Sequence, residues 1–597
     1  MNKNLLWLGA AVVVLVGIVA FTLMRPTPPP PPCEGADCPP TPTPTVTPGI
    51  VKLPVASSST KKAWMEAAKA GFNEASKNDR RWQVDGKPVV VEFLKEEIDP
   101  GVFDHYRSGT MVKDIQLPDG DPKAIRPVVA SPSEESWLEG LNSDWRASHR
   151  QDIMTQPPAT LVRVPVVFAL WESRARALGC WPTPTKDCTW QRFRDLASDP
   201  AGWGAYGHPD WGAFKIGYGY VGESNSGTLT AILLCMAGLQ KTTGLTVADV
   251  EPDNGCGQMI GAMDKAKVHS GKKSGWLLEK LKTGGPEYLD GQTTNEPDVI
   301  KFNIENQGKL REPLVSAYPQ DGTVVSKHPF GILDAAPWVT PEQLKAAELF
   351  REYLLSAEMQ AKAMELNLRP ADPSAKLGAP IDLSYGANPD ATLVAVDVPD
   401  ALTFDQVVAV WHKVKKHAAV VIVFDKSGSM SGERITQAVS GARTFVGMMD
   451  MDDWLMWMPF DDKTYYGDQG LKSQIGEQLQ QDIRATAAGG GTALYDTVYY
   501  AYDLLQARRA MNGNTERYGI VVLTDGENNG GTKTLPQLQA RLAPDEKNPA
   551  SVQIYSIGIG EANMDVLNKI ATGAHGKATK SNPQDIEAAY KEIVWYF

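Results

Sequence analysis

The sequence holds few of the residues from which enzyme active sites are commonly built. It has eight histidines in 597 residues, and they are scattered along the chain. It contains no His-Glu-x-x-His, no Gly-x-Ser-x-Gly and no Gly-x-x-x-x-Gly-Lys-Ser/Thr sequence. Catalysis would require a nucleophile with a base, a paired acid and base, or a cofactor loop. These absences favour a binding role over an enzymatic one.

Positive charge is also in deficit. The chain has 59 Lys and Arg residues against 71 Asp and Glu residues, a formal net charge of −12 at pH 7, and no long basic run. A phosphate backbone is held by clustered basic residues, which this composition does not supply. We therefore expect no nucleic-acid partner.

Cysteine is scarce, with six residues and none in the last third of the chain. The six fall into three close pairs along the sequence: Cys33 with Cys38, Cys180 with Cys188, and Cys235 with Cys256. An even number in local pairs favours disulfides formed outside the cytoplasm, with buried thiols as the alternative. Zinc is disfavoured because no paired Cys-x-x-Cys elements or histidine clusters accompany them.

The N-terminus carries one long apolar run, Leu5–Met24, which is long enough to span a bilayer as a helix. We predict a transmembrane signal anchor at residues 1–24; a cleaved signal is the alternative, but no suitable cleavage sequence follows. Residues 25–49 are rich in proline and predict an extended stalk. Lys3 and Arg25 nearly cancel in the positive-inside count, so the cysteines decide the orientation. We expect a single-pass protein with its bulk outside the cytoplasm.

Residues 50–385 alternate apolar strands with polar turns and helical stretches. Val51–Ala56, Val89–Phe93, Pro127–Ala130 and Arg163–Phe168 have the pattern of buried strands, and Lys61–Lys77 has that of an amphipathic helix. This alternation predicts an α/β fold with open, mostly parallel sheets. Ligands of such sheets bind beyond the carboxyl ends of the strands.

Five short motifs follow one another in this region. They are Ser57-Ser58-Ser59-Thr60, Ser131-Pro132-Ser133, Ser226-Gly227-Thr228, Tyr318-Pro319-Gln320-Asp321-Gly322-Thr323 and Arg369-Pro370-Ala371-Asp372. In this order they resemble the extracellular solute-binding proteins of the type II periplasmic kind. The resemblance implies two lobes that close by a hinge motion over a small-molecule or anionic solute.

Seven residues of these motifs are candidates to face the cleft: Ser58, Ser59, Ser131, Ser226, Gly227, Thr228 and Tyr318. Helix capping is the alternative for the hydroxyl residues, because Ser and Thr before helices cap more often than they bind ligands. Residues 386–417 form a connector that ends in a predicted helix, Thr403–Lys416.

The most specific signal begins at residue 418. The apolar strand Ala418–Phe424 ends in Asp425-Lys426-Ser427-Gly428-Ser429, which places one carboxylate and two hydroxyls at alternate positions. Downstream, Thr492 follows three glycines and Asp525 follows the apolar strand Gly519–Leu523. Carboxylate and hydroxyl oxygens are the hard ligands that Mg²⁺ and Ca²⁺ prefer. The pattern predicts a divalent metal site.

In order and spacing these residues match the metal-ion-dependent adhesion site of the von Willebrand factor A (VWA) family, which this region resembles. The resemblance implies a doubly wound, Rossmann-like domain at residues 418–597 with its metal loops at the C-terminal edge of the sheet. The implied ligands are Asp425, Ser427, Ser429, Thr492 and Asp525. The implied ion is Mg²⁺, with Ca²⁺ or Mn²⁺ able to replace it, and a protein partner would supply an acidic residue to the metal.

The whole chain thus resembles bacterial membrane-anchored proteins that join a solute-binding-like domain to a C-terminal VWA domain. The favoured function is adhesion at the cell surface through the metal, with the first domain recognising a ligand or acting as a spacer. A solute receptor of an ABC-type importer is the first alternative. A metal-assisted enzyme is the second, and it is disfavoured because no catalytic constellation is visible.

Overall fold

The computed structural model describes residues 49–99, 102–106, 108–222, 224–271, 274–513, 515–542 and 551–597. Ile50–Phe597 form one compact unit. The predicted transmembrane anchor, nearly all of the stalk and the Cys33–Cys38 pair lie outside the described residues and stay predictions. Within the described ranges, no helix is both long and apolar enough to cross a membrane.

Over its described residues, the first region contains thirteen strands and twelve α-helices. Its strands are β1 (Val51–Ser57), β2 (Gln83–Val84), β3 (Lys87–Leu94), β4 (Glu96–Asp99), β5 (Val102–Asp104), β6 (Val129–Ser131), β7 (Ala159–Trp171), β8 (Ile216–Gly217), β9 (Lys267–His269), β10 (Gly291–Asn295), β11 (Leu314–Ala317), β12 (Val325–Ile332) and β13 (Arg369–Pro370). Its helices are α1 (Lys62–Asn78), α2 (Ser108–Gln116), α3 (Ser136–His149), α4 (Glu172–Ala177), α5 (Trp190–Ser198), α6 (Asn225–Gly238), α7 (Gly255–Ala266), α8 (Ser274–Tyr288), α9 (Glu296–Glu305), α10 (Pro341–Leu354), α11 (Ala357–Glu365) and α12 (Ala401–Val414).

Eleven of these strands form a mixed sheet in the order β2-β3-β1-β6-β12-β7-β10-β8-β9, with β11 and β13 also paired to β7, whereas β4 and β5 pair with each other. β1 is parallel to β3 and β6, as expected. The expectation of a mostly parallel sheet is wrong around β7, because β10, β11, β12 and β13 all run antiparallel to it. Strand direction depends on where the chain re-enters the sheet, which hydrophobic periodicity does not encode.

The strand β7 joins two hydrophobic cores. Its first part contributes to a core that contains Trp64, Phe72 and Phe350, and its second part contributes to a core that contains Trp190 and Trp411. The two predicted disulfides, Cys180–Cys188 and Cys235–Cys256, are confirmed, and all four cysteines lie in the second core. The two-lobed arrangement itself stays a prediction.

The C-terminal region contains a separate six-stranded sheet. Its strands are β14 (His417–Asp425), β15 (Trp454–Phe460), β16 (Gln469–Leu471), β17 (Glu516–Thr524), β18 (Gln553–Ile559) and β19 (Lys577–Ser581). Its helices are α13 (Glu433–Met448), α14 (Lys472–Ala485), α15 (Leu494–Asn512), α16 (Leu535–Leu542), α17 (Met564–Thr572) and α18 (Ile586–Val594).

This sheet has the order β16-β15-β14-β17-β18-β19, and only the edge strand β16 is antiparallel to its neighbour. α13, α14 and α18 cover one face and α15, α16 and α17 cover the other. The predicted doubly wound α/β fold is therefore present. Strand order reverses between β14 and β17, which is where open parallel sheets form a crevice at their carboxyl ends.

The amino ends of these strands pack on the first region through a buried ionic cluster. Asp264 of α7 accepts hydrogen bonds from Tyr218 Oη (2.5 Å), the Lys416 backbone N–H (2.8 Å) and Arg517 Nη2 (2.8 Å). Lys267 Nζ lies 3.1 Å from the same carboxylate. Burial alone would raise the pKa of Asp264, but Arg517 and Lys267 lower it well below its ordinary value. We call these five residues the junction cluster.

Candidate metal centre

The candidate metal centre lies at the crevice between β14 and β17. The two strands pair in parallel register up to Phe424 and Leu523. Asp425 therefore stands beside Thr524, and the Thr524 hydroxyl donates a hydrogen bond of 2.5 Å to Asp425 Oδ2. The other carboxylate oxygen, Oδ1, accepts from the Ser427 backbone N–H at 2.8 Å. Both contacts orient a fully buried carboxylate toward the loop that follows it.

The serine hydroxyls continue from Asp425 to Asp525. Ser427 Oγ and Ser429 Oγ are 3.1 Å apart, and Ser429 Oγ donates to Asp525 Oδ1 at 2.7 Å. Ser427 is buried whereas Ser429 is exposed, so the row of oxygens runs from the interior to the surface. Side chains from two separate loops thus meet in one hydrogen-bonded chain.

A third loop brings in Thr492. The Gly428 N–H donates to the Gly490 carbonyl at 3.0 Å, which joins the glycine-rich loop to the serine loop. A Cβ atom added to Gly526 would lie 3.6 Å from Thr492 Oγ1 and 3.7 Å from Ser429 Oγ. The Thr492 backbone is held by Asn529, whose side-chain oxygen accepts from the Thr492 N–H at 2.7 Å. The structure therefore brings all five predicted ligand residues together.

The charges around the site are unequal. Burial raises the pKa of Asp425, and the neighbouring Asp525 carboxylate raises it further. Arg434 Nη1 donates to Asp525 Oδ2 at 2.6 Å, while Lys426 is paired with Asp461. Two carboxylates and three hydroxyls that converge in this way fit a hard divalent cation. No group of three or more His, Cys, Asp or Glu side chains suited to a metal occurs in the part of the chain that the structure describes.

Three supporting residues were not anticipated from the sequence: Arg434, Thr524 and Asn529. Thr524 directly precedes Asp525, so its position at a strand end was a signal that could have been used. Arg434 and Asn529 depend on how separate loops pack, and no local pattern reveals them.

In the first region, Ser58 and Ser131 lie at the carboxyl ends of β1 and β6. Their hydroxyls bond within the protein: Ser58 Oγ accepts from Lys61 Nζ at 2.8 Å, and Ser131 Oγ donates to the Pro329 carbonyl at 2.5 Å. Lys61 Nζ also donates to the carbonyls of Ser131 and Pro132. Burial lowers the pKa of Lys61 well below its ordinary value. This lysine links the two turns, and Ser59 beside it is exposed.

The remaining cleft candidates have internal contacts. The Ser224 side chain caps α6 by accepting from Gly227 N–H at 3.3 Å, Ser226 Oγ lies 3.3 Å from Ser224 Oγ, and Thr228 Oγ1 accepts from Gly222 N–H at 2.8 Å. Tyr318 Oη donates to Glu296 Oε1 at 2.5 Å and is buried. Their role in ligand binding stays a prediction.

Helix α3 contacts both α6 and α12. Trp137 Nε1 of α3 donates to Asn225 Oδ1 of α6 at 3.0 Å, and the Trp137 ring packs against Phe404 of the connector helix α12. The predicted helix Thr403–Lys416 is present as α12, and it begins and ends two residues earlier than predicted.

The buried carboxyl of Glu134, at the turn that precedes α3, is expected to make stability depend on pH. Burial raises the pKa of Glu134 to about 7. A carboxyl with a raised folded-state pKa costs nothing below its unfolded pKa. It destabilises the fold progressively as pH rises from the unfolded pKa to the folded value, and above the folded value the cost is constant. Between pH 4 and 8 we expect the wild type to lose up to about 3 kcal/mol relative to Glu134→Gln.

Urea unfolding of both proteins at several pH values measures this difference. Glu139, an exposed carboxylate on α3, offers a matched control, since Glu139→Gln removes the same charge without touching the buried carboxyl. Parallel curves for the wild type and Glu134→Gln across this range would contradict the expected effect.

Comparisons with known proteins found similarities to parts of this chain. Residues 419–593 match the family model of the von Willebrand factor type A domain. The uncharacterised protein sll0103 of Synechocystis sp. is 27% identical over 175 residues, which are 29% of this chain and 40% of that protein. The chain thus spans less than half the length of that relative.

Two solved structures are similar in separate regions. The von Willebrand factor type A protein from Catenulispora acidiphila is 17% identical, with a TM-score of 0.26, over 30% of this chain and 42% of that one. An ABC transporter structure from Clostridium perfringens is 15% identical, with a TM-score of 0.37, over 61% of this chain and 99% of that one. The C-terminal region is a VWA domain.

Proposed function

We propose that this chain, whose residues 419–593 form a VWA domain, is a binding protein that grips an acidic group of a protein partner through a divalent cation. The observation that supports this is the convergence of Asp425, Ser427, Ser429, Thr492 and Asp525 on one edge of the C-terminal sheet.

The donor set suggests which ion would bind and why a partner would be needed. Ser427, Ser429 and Thr492 would supply neutral hydroxyls, and Asp425 and Asp525 would supply carboxylates directly or through water. Few negative ligands leave a divalent ion incompletely neutralised, so it retains affinity for a further carboxylate. Mg²⁺ is the proposed ion, with Ca²⁺ or Mn²⁺ able to replace it.

The location of the site supports access by a partner. The junction cluster occupies the amino end of β17, where Arg517 lies, and Asp525 follows the other end of the same strand. Nine residues of extended strand separate the two ends by about 25 Å. The contact with the first region therefore lies at the opposite end of β17 from the candidate metal centre, where Ser429 is exposed.

The first region and the N-terminus complete the proposal. The two-core region would recognise a small-molecule or anionic solute or serve as a spacer. Leu5–Met24 would anchor the protein as a single-pass membrane protein with its bulk outside the cytoplasm. The two disulfides of the second core support that side of the membrane, because disulfides persist in oxidising compartments.

The decisive test is the double change Ser427→Ala and Ser429→Ala in the full chain. We expect the wild type to take up one Mg²⁺ in calorimetry and to retain a cell-envelope partner only without chelator. The double variant should lose both properties while keeping its circular dichroism spectrum. Ser431→Ala is the control, since its exposed hydroxyl bonds only to the Gly428 carbonyl. Mg²⁺ uptake that survives the double change would refute the proposal.

A further inference from the structure

Arg434 places a fixed positive charge on the carboxylate that the metal would share. It lies on the first turn of α13, just after the serine loop. Its Nη1 donates to Asp525 Oδ2 at 2.6 Å and to the Ser429 carbonyl at 3.2 Å. One guanidinium therefore ties together the two loops that provide three of the five ligand residues.

The contact is held in place from both sides. The Asp525 side chain is 0% exposed, whereas that of Arg434 is 37% exposed, so the guanidinium covers the carboxylate from the solvent side. Gly560, at the end of β18, approaches the same group: a Cβ atom there would lie 3.5 Å from Arg434 Nη2. Asp525 Oδ1 meanwhile accepts from Ser429. Both oxygens of this carboxylate thus have defined partners.

We propose that Arg434 acts as a built-in competing cation that sets the affinity of the metal site and keeps it low. This inference rests on the proposed function and deepens it. A unit positive charge on a ligand carboxylate repels an incoming divalent ion, and this repulsion is weakly screened where one partner is buried. The same charge offsets the negative charge of Asp525, so a bound ion would be less neutralised by the protein.

The consequence is a site whose occupancy depends on the partner. A metal that the protein alone holds weakly is held more tightly once a partner's carboxylate adds a negative ligand, because binding of the two is thermodynamically linked. Arg434 would thereby favour metal binding and partner binding together over metal binding alone. Lys426 does not share this role, since it is paired with Asp461.

The test is calorimetric titration of the full chain with Mg²⁺ alone, at pH 8. Arg434→Gln is expected to tighten the dissociation constant at least about tenfold. Arg434→Lys, which keeps the charge, is expected to stay within about threefold of the wild type. Arg443→Gln is the matched control: it removes the same charge from the same helix, at a residue whose Nε bonds to Gln480 Oε1 at 2.9 Å.

The possible results test the role of Arg434 separately from the proposed metal-dependent function. An unchanged or weaker Mg²⁺ affinity in Arg434→Gln, or equal tightening in Arg443→Gln, would overturn the role of Arg434 while the proposed function stands. Binding in Arg434→Gln when the wild type shows none would support the role of Arg434. Absence of binding in both proteins would overturn the role of Arg434 and the proposed metal-dependent function together.

Discussion

Replacing Asp264 with alanine is expected to destabilise the protein by about 3–5 kcal/mol. This carboxylate is fully buried and receives hydrogen bonds from Tyr218, Lys416 and Arg517. Its removal leaves the buried Arg517 guanidinium without its carboxylate, and the buried Lys267 amine loses the same partner. The cost arises mainly from the loss of this counter-charge, because breaking a buried ion pair on one side is more harmful than replacing both partners.

Urea unfolding measures this loss, and two further variants identify its cause. Asp253→Ala, an exposed carboxylate just before the same helix, should change stability by less than about 1 kcal/mol. The double change Asp264→Ala and Arg517→Ala should destabilise the protein by less than the sum of the single changes. Removing both partners leaves neither of them as a buried charge without a counter-charge. Additive losses would show that the two residues do not act as a pair.

The pH dependence of the free energy of unfolding should also differ between Asp264→Ala and the wild type. Because the folded-state pKa of Asp264 lies well below its ordinary value, its contribution is present above the unfolded pKa of about 4 and is lost as pH falls. The difference in the free energy of unfolding between the wild type and Asp264→Ala should therefore become smaller in strong acid. A gap that stays constant on acidification would contradict this account of the junction cluster.

Asp425→Asn is expected to weaken Mg²⁺ binding by at least about 100-fold without destabilising the metal-free protein. The carboxylate is buried beside Asp525, and burial raises its pKa. Asparagine has nearly the same shape and can still bond to the Ser427 N–H and the Thr524 hydroxyl. It removes a buried charge from the metal-free state, so its thermal midpoint should equal or exceed that of the wild type.

Mg²⁺ titration by calorimetry and thermal unfolding with and without Mg²⁺ together test this prediction. Asp462→Asn is the matched control, because it removes the same charge from an exposed carboxylate near the glycine-rich loop. It should leave Mg²⁺ affinity within about threefold of the wild type. A drop in metal-free stability for Asp425→Asn would mean that the carboxylate is needed for the fold itself.

Much of the candidate metal centre was predictable because its two carboxylates directly follow apolar strands. Asp425 and Asp525 each end a run of buried residues, and parallel strands bring their carboxyl ends to one edge of the sheet. The sequence predicts a helix over Ile435–Met449 and a strand over Trp454–Pro459, and the observed α13 and β15 differ from these bounds by one or two residues. The elements β16, α14, α16, α17 and β19 were not anticipated. All but α14 have 9 residues or fewer, which leaves little periodic pattern to detect.

The candidate cleft was harder to predict. Ser58 and Ser131 were placed correctly at strand ends, but Lys61, which binds both turns, appeared in the sequence only as the start of an amphipathic helix. Whether a hydroxyl faces a ligand or a neighbouring lysine depends on packing between segments about 70 residues apart. Local sequence patterns carry no information on such contacts.

Local patterns were enough for the α/β class, the doubly wound C-terminal sheet, the two buried disulfides and the five residues that converge at the candidate metal centre, because each follows from periodicity or from residue types at fixed spacing. Three-dimensional packing was needed for the antiparallel neighbours of β7, the Asp264 cluster and the contact between Arg434 and Asp525. These features join residues far apart in the chain, where position depends on how whole elements pack and not on the order of amino acids within any one of them.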